Sequence, residues 1–252
     1  MDLNSPTTST DTQLRPEHEP GELDLIGCYH ALTEIVKLYL QHGSEWHLTS
    51  EIEVDTYMRK MLGIDHKQAK KVRAAIDQVE DASDAIREVI LHGLHVNRQN
   101  SYHGEAYLRL YGVLNAAYLI TGAIRILSNQ LMSHKQGAFG ERLRGEPLYE
   151  LRNRIGAHSM DFGKNEDVYH RMVQRDMFRW DGKRSFTSSD RGYQEIDIMA
   201  DIRAFERTSL SILLELTEGK ACRVIKRKSE HFAWMNERLD FVRDRITSSD
   251  SL

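Results

Sequence analysis

Cysteine is scarce in this chain of 252 residues. Cys28 and Cys222 are the only two, too few for a disulfide framework, and neither has a partner at metal-ligand spacing. Long apolar runs are missing too: none approaches the ~20 residues that cross a bilayer, and no signal-peptide pattern opens the chain. The cytosol is therefore the expected compartment, with no membrane partner. Excess positive charge is absent, since the formal charge is -4. Any contact with nucleic acid has to come from local basic clusters rather than from a global field. There is no Gly-rich phosphate loop, no His-Glu-x-x-His and no Gly-x-Ser-x-Gly elbow. His92 with His95, and His30 with Glu34, stand at spacings that a metal uses, yet no third and fourth ligand falls into place. No metal and no cofactor are expected.

What is present reads as a globular, mainly α chain with a real core, 40% hydrophobic and 29% charged. Residues 1–21 are rich in Ser, Thr, Asp, Glu and Pro and cannot bury enough apolar surface to offset ordering entropy, so a disordered tail is expected. From Glu22, the residues Leu25, Tyr29, Leu32, Val36 and Tyr39 recur at steps of three and four, an amphipathic helix closed by Gly43. A shorter helix is expected over Thr49–Leu62 with Gly63 past its end. Val72, Ile76, Val79, Ile86, Ile90 and Leu94 mark a third over His66–His95. Asn97–Gly104 is a polar break. The fourth helix, Glu105–Ser133, is the most apolar: Leu110, Val113, Ala117, Ile120, Ile124, Leu127 and Leu131 form one stripe. Tyr107, Tyr111, Leu114 and Tyr118 form a second, which predicts a central helix apolar on two faces.

The stretch 137–145 reads as a connection, and Pro147 stands where a helix starts. That helix is expected to fray near Asp161–Gly163. Residues 169–180 and Lys183–Ser188 then flank Asp181–Gly182, a strong two-residue hairpin signal, with a third short strand over Gly192–Met199. Asp201 is expected to cap a helix carrying Ile202, Phe205, Ser209, Ile212 and Leu216 inward and broken at Gly219. A last helix carries Ile225, Phe232, Met235, Leu239, Val242 and Ile246. Lys226, Arg227 and Lys228 make a short basic run, read as solvated. The expected organisation is a tail at 1–21, a helical bundle at 22–165, a β-hairpin insertion at 166–200, helices packing on the bundle at 201–247, and a tail at 248–252.

Chemistry concentrates in one place. Arg152, Asn153 and His158 form Arg-Asn-x-x-x-x-His on the helix that Pro147 opens. Six residues apart on an α-helix, Arg152 and His158 are about 9 Å apart along the axis and about 120° apart around it, a gap that an arginine can span. Together they can hold one phosphate, the guanidinium as a fork and the imidazole as proton carrier. Taken singly each has a bland explanation: a surface arginine, an asparagine near a helix end, a structural histidine. Gly156 and Ala157 precede the histidine. A glycine inside a helix costs about 1 kcal/mol relative to Ala, which suggests the close approach of another backbone. Arg154 lies four residues after Glu150, a spacing that suits an ion pair, and is read as a supporting or phosphate-positioning residue. Arg142 and Arg144 make the approach basic.

The run from Leu151 to His158 resembles the signature of the HEPN superfamily (higher eukaryotes and prokaryotes nucleotide-binding domains) at each defining position. The resemblance implies a HEPN-like helical bundle, here with a small β-hairpin insertion. It also implies a metal-independent endoribonuclease in a toxin–antitoxin or antiviral defence setting. Arg152, Asn153 and His158 are then the catalytic residues, RNA the substrate and a homodimer the working form, with a cognate antitoxin as a further partner. The alternative is a noncatalytic module of the same family that binds a nucleotide or a partner protein. A sub-group of the family carries Tyr two residues after the motif histidine, as acceptor for adenylylation. This chain has Met160 there, which argues against that form of regulation.

Overall fold

The computed structural model describes residues 22–41, 50–94, 103–157, 170–173, 183–188, 191–225 and 230–248. The expected tail at 1–21, Gly43, His158, Met160, the turn at Asp181–Gly182 and the basic run at 226–228 lie outside them. Within them the chain is mainly α with a small three-stranded antiparallel sheet. The helices are α1 (Glu22–Gln41), α2 (Glu51–Leu62), α3 (His66–His92), α4 (His103–Leu131), α5 (Gln136–Arg144), α6 (Pro147–Leu151), α7 (Ile198–Leu216) and α8 (Glu230–Ser248). The strands are β1 (His170–Met172), β2 (Lys183–Ser188) and β3 (Gly192–Asp197).

Local chemistry sets the ends of the early helices. Ser50 caps α2 in a reciprocal box with Glu53, and Gly63 closes it at φ 68°, the left-handed conformation that glycine adopts without strain. Asp65 and Gln68 form a second box at the start of α3, with bonds of 2.7 and 2.8 Å. The α3 stripe then delivers Val72, Ile76, Val79 and Ile86 to the core with no measurable exposure, each stabilising the fold by about 1.5–3 kcal/mol relative to remaining in water. α3 packs on α4, and α1 packs on both α3 and α8. α4 also meets α5, α6 and α7, so it runs through the middle of the bundle.

The structure corrects the sequence reading in several places. By length and composition Gly104–Leu131 is long and apolar enough to cross a bilayer, with a mean hydropathy of 1.5 in its most apolar window, against the expectation that no run comes close. Its packing against four other helices marks it as the core helix of the bundle. Its second stripe is not buried as a stripe: Leu114 is, but Tyr111 and Tyr118 are 41% and 42% exposed. The stretch 137–145 is no mere connection. It folds as α5, because Phe139 and Leu143 reach the core one turn apart and repay the low helix propensity of Gly137 and Gly140.

The strand at Gly192 stops at Asp197, and α7 begins there. Asp197, not Asp201, is its cap: its backbone is extended and its carboxylate accepts a 3.0 Å bond from the Ala200 amide. At Gly219 the helix widens rather than breaks, through a π-helical turn over Thr217–Ala221 and a last helical turn over Cys222–Val224. Ile225 then falls between helices, in the core but not on α8.

The sheet has the order β1-β2-β3. β2 pairs along its length with β3, from Lys183 opposite Asp197 to Ser188 opposite Gly192, and β1 pairs His170 with Ser188 and Met172 with Phe186. Met172 and Phe186 point into the core. Through them the sheet lies against α7 and against the turn that follows α6.

Candidate functional site

That turn is where the motif sits. Pro147 occupies the first turn of α6, where its missing N–H costs nothing and its fixed φ suits a helix. Leu148 and Leu151 anchor α6 in the core. From Arg152 to Ala157 the backbone widens into a π-helix. Such single turns are uncommon inside α-helices and recur at functional sites. The 120° angle expected between Arg152 and His158 belongs to a regular α-helix and does not carry across this turn. Ile155, 3% exposed, pins the turn to the core.

Arg152 is half-buried and reaches back to α4. Its guanidinium lies 3.9 Å over the Tyr118 ring, and Tyr118 stacks in turn on Tyr149 at 6.4 Å between ring centres. A cation held on an aromatic face keeps its plane and its donors defined. Arg152 Nη1 donates to Asn153 Oδ1 at 3.2 Å, so Asn153 orients the arginine. Among the described residues Arg152 makes no ion pair, while three arginines near it in sequence do. Arg142 meets Glu215 at 3.7 Å, Arg144 meets Glu141 at 3.3 Å, and Arg154 pairs with Glu150. Arg152 is thus a positioned cation with most of its donors unused among the described residues.

Arg154 turns the other way. It donates to Glu150, as the spacing predicted, and to Gln194 Oε1 of β3 at 3.3 Å. The structure brings Arg152 and Asn153 together and sends Arg154 to the far side of the turn. Sequence reasoning missed Tyr118 and Tyr149. The signal for Tyr149 was its place three residues before Arg152, which puts the two on one face of the helix.

No family model, curated protein or solved structure matches the chain.

A cleft of about 210 Å³ opens on the Arg154 side, between α6, β2, β3 and the start of α7. Asp201 lines it, and burial, with the negative charges of Asp197 and Glu146 adding to it, pushes its carboxyl up to about 6. The folded state therefore holds this proton more tightly than the unfolded chain, where Asp titrates near 3.9. The stability this gives is complete below about pH 4 and is lost as pH rises through about 6. Asp201→Asn is expected to raise the melting temperature by roughly 2–4 °C at pH 7.5, about 1 kcal/mol after solvent screening, and to change nothing at pH 4. Thermal melts at the two pH values check this, and equal shifts at both would contradict it.

A larger groove of about 480 Å³ lies between α1 and α8, but its charged walls are already engaged. Glu34 pairs with Arg238 at 2.7 Å and Lys37 with Glu80 at 2.6 Å. Trp234 is covered by the Arg238 guanidinium at 3.9 Å. Among the described residues no group of three or more His, Cys, Asp or Glu side chains is placed to hold a metal ion. His30 meets Asp84 at 3.5 Å, while Glu34, set beside it by sequence spacing, pairs with Arg238.

Proposed function

We propose that the chain is a metal-independent endoribonuclease of HEPN type, a HEPN-like helical bundle with the small sheet as an insertion, working as a homodimer. The observation that carries this reading is the state of Arg152: half-buried, stacked on Tyr118, oriented by Asn153 and without a carboxylate partner among the described residues. A guanidinium held in one plane with unused donors suits the bidentate recognition of a phosphate.

RNA carries its own nucleophile in the 2′-OH. His158 removes that proton, the 2′ oxygen bonds to phosphorus, and the phosphorus–5′ oxygen bond breaks as the leaving oxygen takes up a proton. Arg152 neutralises the nonbridging oxygens as charge gathers on them. The products are a 2′,3′-cyclic phosphate and a free 5′-hydroxyl. One histidine does not readily serve both proton transfers, which favours two motifs facing each other across a two-fold axis. α4 offers a surface for that pairing: Leu108 at 72%, Tyr111 and Tyr118 lie open on one face, and Tyr118 is the residue under Arg152. A toxin–antitoxin or defence setting in the cytoplasm, with a cognate antitoxin as partner, is the biological context this activity suits.

The test is turnover. Purified protein should cleave single-stranded RNA in excess EDTA and leave 2′,3′-cyclic ends identifiable by mass spectrometry, and light scattering should give the mass of two chains. RNA left intact while a nucleotide binds through Arg152 would replace this reading with that of a binding module. A strict monomer at micromolar concentration would remove the shared site.

A further inference from the structure

We propose that the cleft on the Arg154 side of the motif turn is a pocket for a single guanine base, so that the chain selects RNA at a guanine. The inference rests on the ribonuclease reading for its substrate and on the cleft alone for its chemistry. The cleft's ~210 Å³ lies below the roughly 300–1,000 Å³ of sites that take drug-sized ligands, and at about 30 Å³ per water it has room for about seven waters. That suits one flat base, with its ribose and phosphate outside the cleft. Pro147, exposed, and Ile196, half-buried, supply apolar walls over a floor of Leu151 and Phe186 where the cleft meets the core, a surface against which a splayed-out base stacks.

The polar groups on the walls are of two kinds. Three carboxylates line the cleft, and two of them are neutralised: Glu150 by Arg154, and Glu195 by Lys183 at 3.6 Å. Asp201 has no basic or hydrogen-bond partner among the described residues, and it stands in the negative field of Asp197 and Glu146. It needs N–H donors, and a carboxylate takes two at once. Gln194 accepts from Arg154 through Oε1, leaving its Nε2–H₂ to donate. An acceptor for two adjacent donors, with an amide donor on the wall of the same cleft, complements the guanine edge, where N1–H and N2–H₂ stand beside O6. Adenine presents a single amino donor beside an acceptor on that edge, and uracil a single N–H. Neither satisfies both oxygens. A bare cation is the other natural guest for a carboxylate, but the described residues place no ligand cluster for one.

The test uses the full chain with neutral nucleosides, which avoids repelling a phosphate from the acidic wall. In ligand-observed NMR, guanosine should bind about ten- to hundred-fold tighter than adenosine, the discrimination of one bidentate pair. Inosine, which lacks the 2-amino group, should fall between them. Asp201→Asn should erase the preference, because an amide cannot accept from both donors, and Gln194→Ala should weaken it. A melting temperature for Asp201→Asn at or above wild type excludes misfolding as the cause. Sequencing of cleaved RNA should place cuts beside guanines for wild type and indiscriminately for Asp201→Asn. Equal binding of guanosine and adenosine, or an unchanged guanosine preference in Asp201→Asn, would overturn the pocket while leaving any RNA cleavage standing. Selective guanosine binding that Asp201→Asn abolishes, in a protein that cuts no RNA, would uphold the pocket and remove the ribonuclease.

Discussion

His158→Ala is expected to lower RNA cleavage by about 10²–10⁴-fold, the usual worth of a positioned acid or base, with the melting temperature unchanged. An imidazole, with its ordinary pKa near 6.5, is the one side chain of the motif that exchanges a proton near neutrality. If two histidines of a dimer act as base and acid, the pH–rate profile is bell-shaped, and a substrate with 2′-deoxyribose at the scissile position is inert. Cleavage by His158→Ala at the wild-type rate, or activity that EDTA abolishes, would sink the mechanism. A mixed dimer of His158→Ala and Arg152→Ala chains is informative as well. If each site draws on both copies, a fraction of the activity returns on mixing.

Much of the bundle was legible because its signals are local. The α3 stripe and the stop of α2 at Gly63 depend on near neighbours along the chain, and the structure keeps both. The failures share a cause: two local readings fitted, and only tertiary contacts chose between them. Asp197 and Asp201 are both good caps, one turn apart. The pairing of Asp197 with Lys183 on β2 ends the strand there and gives it the cap, which leaves Asp201 inside the first turn. Glycines at 137, 140 and 145 spoke for a loop, and the burial of Phe139 and Leu143 overrode them.

The site divides in the same way. The pairing of Arg154 with Glu150 could be anticipated from its four-residue spacing, whereas the bond of Arg152 to its neighbour Asn153 could not, because adjacent side chains on a helix face apart. Tyr118 could not. It lies on α4, and its stack under Arg152 exists only once α6 has docked on that helix. Hydrophobic periodicity marks which side of a helix is buried, but it does not reveal a π turn of six residues such as Arg152–Ala157. Asp201 and Gln194 come from different elements, α7 and β3, and meet only at the cleft.

Arg152→Ala should reduce cleavage by about 10²–10³-fold, the measured worth of one group that stabilises charge in a transition state. Arg152→Lys should recover little of that. Lysine restores the charge, but its ammonium is a compact point without a planar fork, and it neither lies flat on Tyr118 nor keeps the bond to Asn153 Oδ1 in the same geometry. Tyr118→Ala should then cost part of what Arg152→Ala costs, because the arginine remains and only its support is removed. A double variant should lose no more than Arg152→Ala alone, since a support is worth nothing once its guanidinium is gone. Arg154→Ala is the control. It deletes the same charge two residues away, from a side chain tied to Glu150 and Gln194 on the opposite side of the turn, and should slow cleavage far less than Arg152→Ala. Were Arg154→Ala the more damaging of the two in steady-state kinetics, the phosphate would sit in the cleft beside β3, and the roles assigned to the two sides of the turn would have to be exchanged.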